Sequence, residues 1–364
     1  VNRSKLDSLR KKINGIDEQL LKLLRERLSL AREIGNLKKE AGLPLFDPAR
    51  ESEVIKRILE MNQGFFPEKS LEYIFREIIA ACRGSEEKVK VSFLGPPGTF
   101  THIAGIRFFG NEANFIPRED IGEIFEDVSK GRSDFGIVPV ENSLQGTVTY
   151  VLDLFLDFTL KIYGEIYLQV EHNLYALEED LSSIKVLYSH PQAIAQCREW
   201  IKRNLPGVKI VETFSTAEAA AKAAENKNSA AICTDWAGTI YGLKLIEKGI
   251  QDNPVNTTRF FIISREESPY QEGIRYKTSI NMVLKDEPGS LFDALSPFAL
   301  YKVNMTKIES RPLRGKEWEY VFFIDMEGHY REERVARTIE DVKKHTISLE
   351  ILGSYPSGME VKNA

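Results

Sequence analysis

Arg27 stands where its neighbours ask for leucine or isoleucine. Leu6, Leu9, Ile13, Ile16, Leu20, Leu23, Arg27, Leu30, Ile34, Leu37 and Ala41 recur at alternating spacings of three and four, the signature of a heptad seam. A guanidinium in such a seam is costly unless it meets an anion, supplied either by a carboxylate of the protein or by a ligand. Lys38 follows eleven residues later, about three helical turns, and so faces nearly the same way. Arg50 and Glu51 add charge in the first turn of the next helix. Arg10 lies seventeen residues before Arg27, about 25 Å along the axis, so it reaches the same pocket only from a second copy of a symmetric dimer. A cluster of this kind suits a small polyanion held by charge.

A second set of polar residues recurs at the ends of apolar runs. Gly95-Pro96-Pro97-Gly98-Thr99-Phe100-Thr101-His102 follows one strand pattern and opens a helix, where backbone N–H groups and two hydroxyls favour a carboxylate. Val138-Pro139-Val140 runs into Glu141-Asn142-Ser143-Leu144-Gln145-Gly146-Thr147, and Tyr188 into Ser189-His190-Pro191-Gln192. Asn256-Thr257-Thr258-Arg259-Phe260 precedes the apolar stretch 261–263. Ligands of open α/β sheets bind at the carboxyl ends of strands, so repeated polar clusters there point to one cleft. His190 titrates near neutrality when unperturbed and is a candidate general acid, while a histidine before proline at a helix start also serves to orient its loop.

The elements that carry these groups have three different periodicities. Residues 1–88 read as helices: one over the first 41 residues, ended by Gly42 and Pro44; one begun by Asp47-Pro48 as N-cap and first-turn proline; and one with the face Leu71, Ile74, Phe75, Ile78, Ile79 and Cys82. Residues 89–265 alternate strands and helices, predicting a largely parallel, helix-covered sheet. Past a polar linker, 264–273, residues 274–355 read βαββαβ, a ferredoxin-like layout. The expected fold class is multidomain: all-α, then α/β, then α+β.

Composition agrees with that division. With 364 residues, 42% hydrophobic and a net charge of -5, the chain carries no basic excess to release counterions from nucleic acid or to seek an anionic membrane. Three widely spaced cysteines offer neither a disulfide framework nor a CxxC metal site. No apolar run approaches a membrane span, and the first ten residues lack a signal-peptide core. A cytoplasmic protein without metal or cofactor is expected, acting on small molecules.

Residues 4–88 closely resemble the all-helical chorismate mutase family through Leu9-Arg10 to Ile16-Asp17, Arg27, Lys38, Asp47, Arg50-Glu51 and Ile74-Phe75. The resemblance implies a dimer whose cations grip the two carboxylates of chorismate, with Arg10 from the other subunit and Lys38 on the breaking ether oxygen. The rearrangement to prephenate then needs positioning and electrostatic stabilisation only. Two positions depart from the family, Cys82 for serine and Glu86 for glutamine. Glu86 donates to the ether oxygen only when protonated, which implies a raised pKa or a mutase rate that falls as pH rises.

The motifs GPPGTFTH, PVENSLQGTV, SHPQA and TTRFF, in that order, resemble prephenate dehydratase over residues 89–265. They imply two subdomains of a periplasmic-binding-protein type closing over prephenate. Thr258 then assists the departing hydroxide, and Arg259 suits a substrate carboxylate. Thr99, Thr101, Asn142, Ser143, Gln145, Thr147, Ser189, His190, Gln192 and Phe260 complete the expected lining. Pro288-Gly289-Ser290-Leu291 with Glu309-Ser310-Arg311-Pro312 resembles the ACT regulatory domain, in which phenylalanine binds between paired domains; Ser290 and Phe292 replace the usual alanine and valine. Taken together, the resemblances imply a bifunctional, phenylalanine-inhibited enzyme, homodimeric or homotetrameric. The alternatives are a dehydratase with a degenerate mutase region, and a non-catalytic amino-acid-responsive protein.

Overall fold

The computed structural model describes residues 3–41, 46–84, 88–313 and 319–361. These form two compact units. One comprises the chain up to Val89 together with 109–114; the other comprises 90–108 and everything from Phe115 onward.

The first unit is helical: Arg3–Glu40, Pro48–Asn62 and Glu68–Gly84. At about 1.5 Å per residue the first helix is about 57 Å long. Asp47 caps the second, its Oδ1 accepting the Arg50 N–H at 3.0 Å, with Pro48 in the first turn where no N–H is required. Phe46, Ala49, Ile55, Ile79, Ala80 and Cys82 are buried. The heptad seam is not: Leu9, Ile13, Ile16, Leu20, Leu23 and Leu30 are each about half exposed, from 48% to 60%. Among the described residues nothing covers that face.

The second unit holds three sheets. One contains seven strands, ordered Met359–Val361, Lys161–Gln169, Thr257–Ser264, Phe135–Asn142, Lys90–Leu94 and Asn114–Arg118, with Gly146–Thr147 beside Phe135–Asn142. Another runs Lys244–Glu247, Asn173–Ala176, Ser229–Cys233, Val186–Ser189 and Lys209–Glu212. Both are mixed, which corrects the expected largely parallel sheet. The pairings Lys90–Leu94 with Phe135–Asn142 and Val186–Ser189 with its two neighbours are parallel; Thr257–Ser264 runs antiparallel to both of its neighbours. The cause is the chain path. It leaves the first sheet after Gln169, builds all five strands of the second, and re-enters at Thr257 in the opposite sense. Helix periodicity reads the expected 191–204 segment as one piece, whereas the structure divides it into Pro191–Gln196 and Arg198–Asn204.

The third sheet follows the βαββαβ expectation: Tyr276–Val283, Ser290–Leu300, Met305–Pro312, Tyr320–Glu327, Glu333–Lys344 and Ser348–Pro356. Its strands are antiparallel throughout. Val283, Val321, Phe323, Leu352 and Tyr355 of this sheet join Val138, Val140, Phe155, Ile162 and Phe261 of the seven-stranded sheet and its helices in one apolar core. The chain then lays Met359–Val361 parallel to Lys161–Gln169. These two layers are therefore tied by packing and by the chain's return from the third sheet to the edge of the first. No described helix is long and apolar enough to cross a membrane.

Candidate active sites

In the helical unit, Arg27 and Lys38 are both half-buried on the first helix. No ion pair holds Arg27 among the described residues, so the protein-carboxylate alternative is not realised within one chain. Arg10 is exposed, 3.6 Å from Asp7, and Arg50 is exposed beside Glu53 at 2.5 Å. Glu51 turns inward to the buried Arg83 guanidinium, which lies 4.4 Å over the Phe46 ring and also donates to the Phe109 carbonyl. Burial pushes the Glu51 carboxyl up, against the pull of Arg83. Arg83 was not singled out in the sequence, because a basic residue in the last helical turn reads as ordinary C-terminal charge. Cys82 is buried in the third helix. Glu86 lies outside the described residues.

The dehydratase-like motifs converge where the chain passes between the first two sheets. Asn142 ends one strand opposite Thr258. Its Oδ1 accepts the N–H groups of Leu144 and Gln145 at 3.0 and 3.2 Å, so its amide nitrogen is the donor to Thr258 Oγ1 at 3.0 Å and to Asn256 Oδ1 at 2.8 Å. Thr258 Oγ1 thus accepts from the protein, and no described residue accepts its hydroxyl hydrogen. Asn256 in turn donates to Gln196 Oε1 at 3.0 Å, which also lies 2.7 Å from His172 Nε2. Burial holds His172 below the usual histidine range, against the Gln196 hydrogen bond. This chain of side chains joins Thr258 to the second sheet's helix.

Asn256, Gln196 and His172 were missed as site residues. Gln196 was findable, since it sits one helical turn after Gln192; His172 has no local signal.

The remaining expected residues separate by how their polar atoms are used. Thr99 Oγ1 donates to the Leu94 carbonyl at 2.8 Å and accepts the His102 N–H at 3.4 Å. Beside it Gly98, at φ +94°, comes so close to Ala237 that an added Cβ would lie 3.1 Å from that Cα, and Thr234 Oγ1 donates to its carbonyl at 2.8 Å. Ser143 Oγ accepts the Thr257 N–H. Ser189 Oγ is spent on the Ile232 carbonyl at 2.8 Å. His190 caps its helix, Nδ1 accepting the Gln192 N–H at 3.2 Å; burial lowers its pKa although Glu212 opposes this. The hydroxyl of Thr101 and the side-chain amides of Gln145 and Gln192 have no protein partner among the described residues.

Four expectations need correction. Neighbouring residues of a strand point to opposite faces, so Arg259 is directed away from Thr258. Its guanidinium, 4% exposed, meets Glu165 at 2.7 Å, Asp325 at 2.5 Å and Tyr355 Oη at 3.2 Å. Burial alone would lower its pKa, yet Asp325 and Glu165 leave it raised. The carboxylates it binds belong to the protein. Phe260 is buried at 1% exposure as part of the packing. Thr147 is engaged by the third sheet, donating to Glu309 at 2.9 Å and accepting from Lys307 at 2.9 Å.

The fourth concerns the supposed effector motif, which divides by strand alternation. Glu309 and Arg311 face the seven-stranded layer, with Arg311 gripping both oxygens of Asp153 at 3.1 and 3.0 Å, while Ser310 and Pro312 face outward and are exposed. Gly289, at φ +92°, opens the helix Ser290–Leu300, a conformation glycine adopts without strain. Leu291 is exposed and Ser290 half-exposed. Among the described residues no group of three or more His, Cys, Asp or Glu is arranged to hold a metal ion.

Comparison with known proteins matches each part. The model of the chorismate mutase type II family fits residues 9–87, that of prephenate dehydratase residues 91–268, and that of the ACT domain residues 278–344. A curated relative from Aquifex aeolicus, "Bifunctional chorismate mutase/prephenate dehydratase", is 44% identical across 97% of this chain and 98% of its own. Among solved structures, the Arthrobacter aurescens prephenate dehydratase in complex with L-Phe is 36% identical with TM-score 0.68, over 74% of this chain and 90% of that one. One titled as a novel type of quorum quenching acylase is 31% identical with the same TM-score, over 74% and 98%. The mutase-like helices and the order of all three regions are matched end to end by the Aquifex relative, and on that ground this chain belongs to the bifunctional chorismate mutase/prephenate dehydratase family.

Proposed function

We propose that Thr258 is the proton donor of the dehydratase step, and the observation that carries this is its hydrogen bond from Asn142. A hydroxyl that accepts from a fixed amide keeps its own hydrogen for another acceptor. In the elimination the bond between ring and carboxylate breaks, its electron pair enters the ring, and the ring C–O bond breaks. The leaving hydroxide takes a proton and departs as water, giving phenylpyruvate and CO2. Thr101, Gln145 and Gln192 supply further donors to the substrate; Thr99, Ser143, Ser189 and His190 shape the loops that present them. Supplying chorismate and following both its loss and the formation of phenylpyruvate in one coupled assay tests both activities. Thr258→Ala should abolish the second and spare the first; retention of dehydratase activity would refute the assignment.

The helical unit, on this reading, rearranges chorismate in a homodimer. The support is the uncovered apolar seam of the first helix, which a second copy would bury while bringing its own Arg10 toward Arg27, Lys38 and Arg50. Leu20→Glu should convert the assembly to smaller species in sedimentation and remove mutase activity. A wild-type monomer with full mutase activity would overturn it.

Phenylalanine is proposed as the effector because the related Arthrobacter structure is titled as its complex. Gly289, Ser290, Leu291 and Ser310 carry the exposed part of the corresponding motifs. Isothermal titration with phenylalanine tests this, and absence of binding at millimolar concentration would reject it.

A further inference from the structure

Two cross-strand pairs face each other where the third sheet packs on the seven-stranded one. In the seven-stranded sheet Thr258 is in register with Asn142, and Arg259 with Glu141. In the third sheet Lys307 is in register with Asp325. Strand alternation puts Thr258 and Asn142 on one face and Arg259 and Glu141 on the other. That second face meets the third sheet in a checkerboard. Arg259 Nη1 lies 2.5 Å from Asp325 Oδ2, and Lys307 Nζ lies 3.0 Å from Glu141 Oε2. Arg259 and Glu141 are themselves 3.7 Å apart.

We propose that Asp325 and Lys307 are positioning residues of the dehydratase, holding from behind the strand pair that presents Thr258 and Asn142, and that effector occupancy reaches the reaction through this checkerboard. It rests on the role of Thr258 given above. Exchanging the partners would set Arg259 against Lys307 and Glu141 against Asp325, like against like, so the observed pairing is the one that satisfies all four groups. Ser279 Oγ locks Asp325, donating to its Oδ1 at 2.5 Å, and is itself held by Tyr355 Oη at 2.6 Å. Lys307 shares its strand face with Glu309 and Arg311, and these grip Thr147 and Asp153. A shift of Met305–Pro312 on ligand binding therefore pulls through Lys307 on Glu141, next to Asn142, and through the paired Asp325 on Arg259, next to Thr258.

The test uses the full chain with Lys307→Gln, Lys307→Arg, Glu141→Gln and the double variant Lys307→Gln/Glu141→Gln. Dehydratase kcat and KM, the phenylalanine concentration for half-inhibition, and mutase rate are measured on each. Lys307→Gln should lower dehydratase kcat more than it raises KM, and shift half-inhibition by at least about fivefold. Lys307→Arg should restore both, the double variant should be no worse than the more impaired single variant, and mutase activity should stay constant. Were Lys307→Gln soluble but within twofold of wild type in kcat and half-inhibition, or were the two substitutions simply additive, the proposal would fall. Should Lys307→Gln not fold, Lys307→Arg and Glu141→Gln carry the comparison, and a normal phenylalanine response in Glu141→Gln overturns it. Thr258→Ala run alongside separates failure of this coupling from failure of the Thr258 assignment itself.

Discussion

Asn142 and Thr258 sit directly opposite each other on antiparallel strands, and the amide of the first donates to the hydroxyl of the second across 3.0 Å. That direction is set by two backbone N–H groups that occupy the Asn142 oxygen. The consequence is a hydroxyl whose hydrogen is accepted by no described residue.

Thr258→Ser should keep most dehydratase activity, whereas Thr258→Val, of equal shape without the donor, should lose about 10²- to 10⁴-fold in kcat. Asn142→Asp tests the direction of the bond: a carboxylate would accept the Thr258 hydrogen and compete with substrate. Steady-state kinetics on prephenate are the measurement, and equal activity of the Ser and Val variants would contradict the donor role.

Lys38→Ala should lower mutase kcat by about 10²- to 10³-fold, the size expected for removing one preorganised donor to a developing oxyanion. Dehydratase activity on supplied prephenate should be untouched. Loss of both together would show that Lys38 supports folding instead.

Arg83→Met leaves the inward-facing Glu51 without its cation. Breaking a buried pair from one side costs about 3 to 5 kcal/mol, so mutase activity should be lost at lower temperature and recovered in part by Glu51→Gln in the same chain. An unchanged inactivation temperature for Arg83→Met would mean the pair contributes nothing.

His329 offers a pH test. It is buried, with Nδ1 accepting the Arg331 N–H at 3.0 Å, and burial with Arg331 nearby pushes its pKa down to about 4. Between about 4 and the ordinary histidine value of about 6.5 the unfolded chain therefore binds more protons than the native one, and stability rises with pH. The contribution is fully present above about 6.5 and fades as pH falls toward 4. His102, His172 and His190 are lowered by burial as well and act in the same sense. Thermal melting should shift down across this window, and His329→Asn, whose amide oxygen can accept the same N–H, should flatten the slope. A melt independent of pH from 7 to 4 would rule this out.

Much was legible from local chemistry. Asp47-Pro48 announces a helix start because capping needs only neighbours within one turn, and the structure begins that helix at Pro48. The βαββαβ order followed from short-range periodicity alone. The heptad seam foretold an apolar face too long for one small domain to cover, and among the described residues Leu9 to Leu30 remain half exposed.

Other features depended on which faces meet. Arg259 reads as a ligand-binding cation in its motif, yet one position of strand alternation turns it to Glu165 and Asp325, the latter 66 residues away in sequence. Gln196 and His172 enter the Thr258 network only because the chain crosses between sheets there.

Residue types and their spacing thus determined the elements, the three regions and the family, since caps, periodicity and contiguous motifs are written in neighbours along the chain. Only the tertiary structure decided that Thr258 accepts from Asn142 while Arg259 and Glu141 meet Asp325 and Lys307. The direction of a hydrogen bond and the partner of a buried charge are set by packing between strands distant in sequence, and no local pattern encodes them.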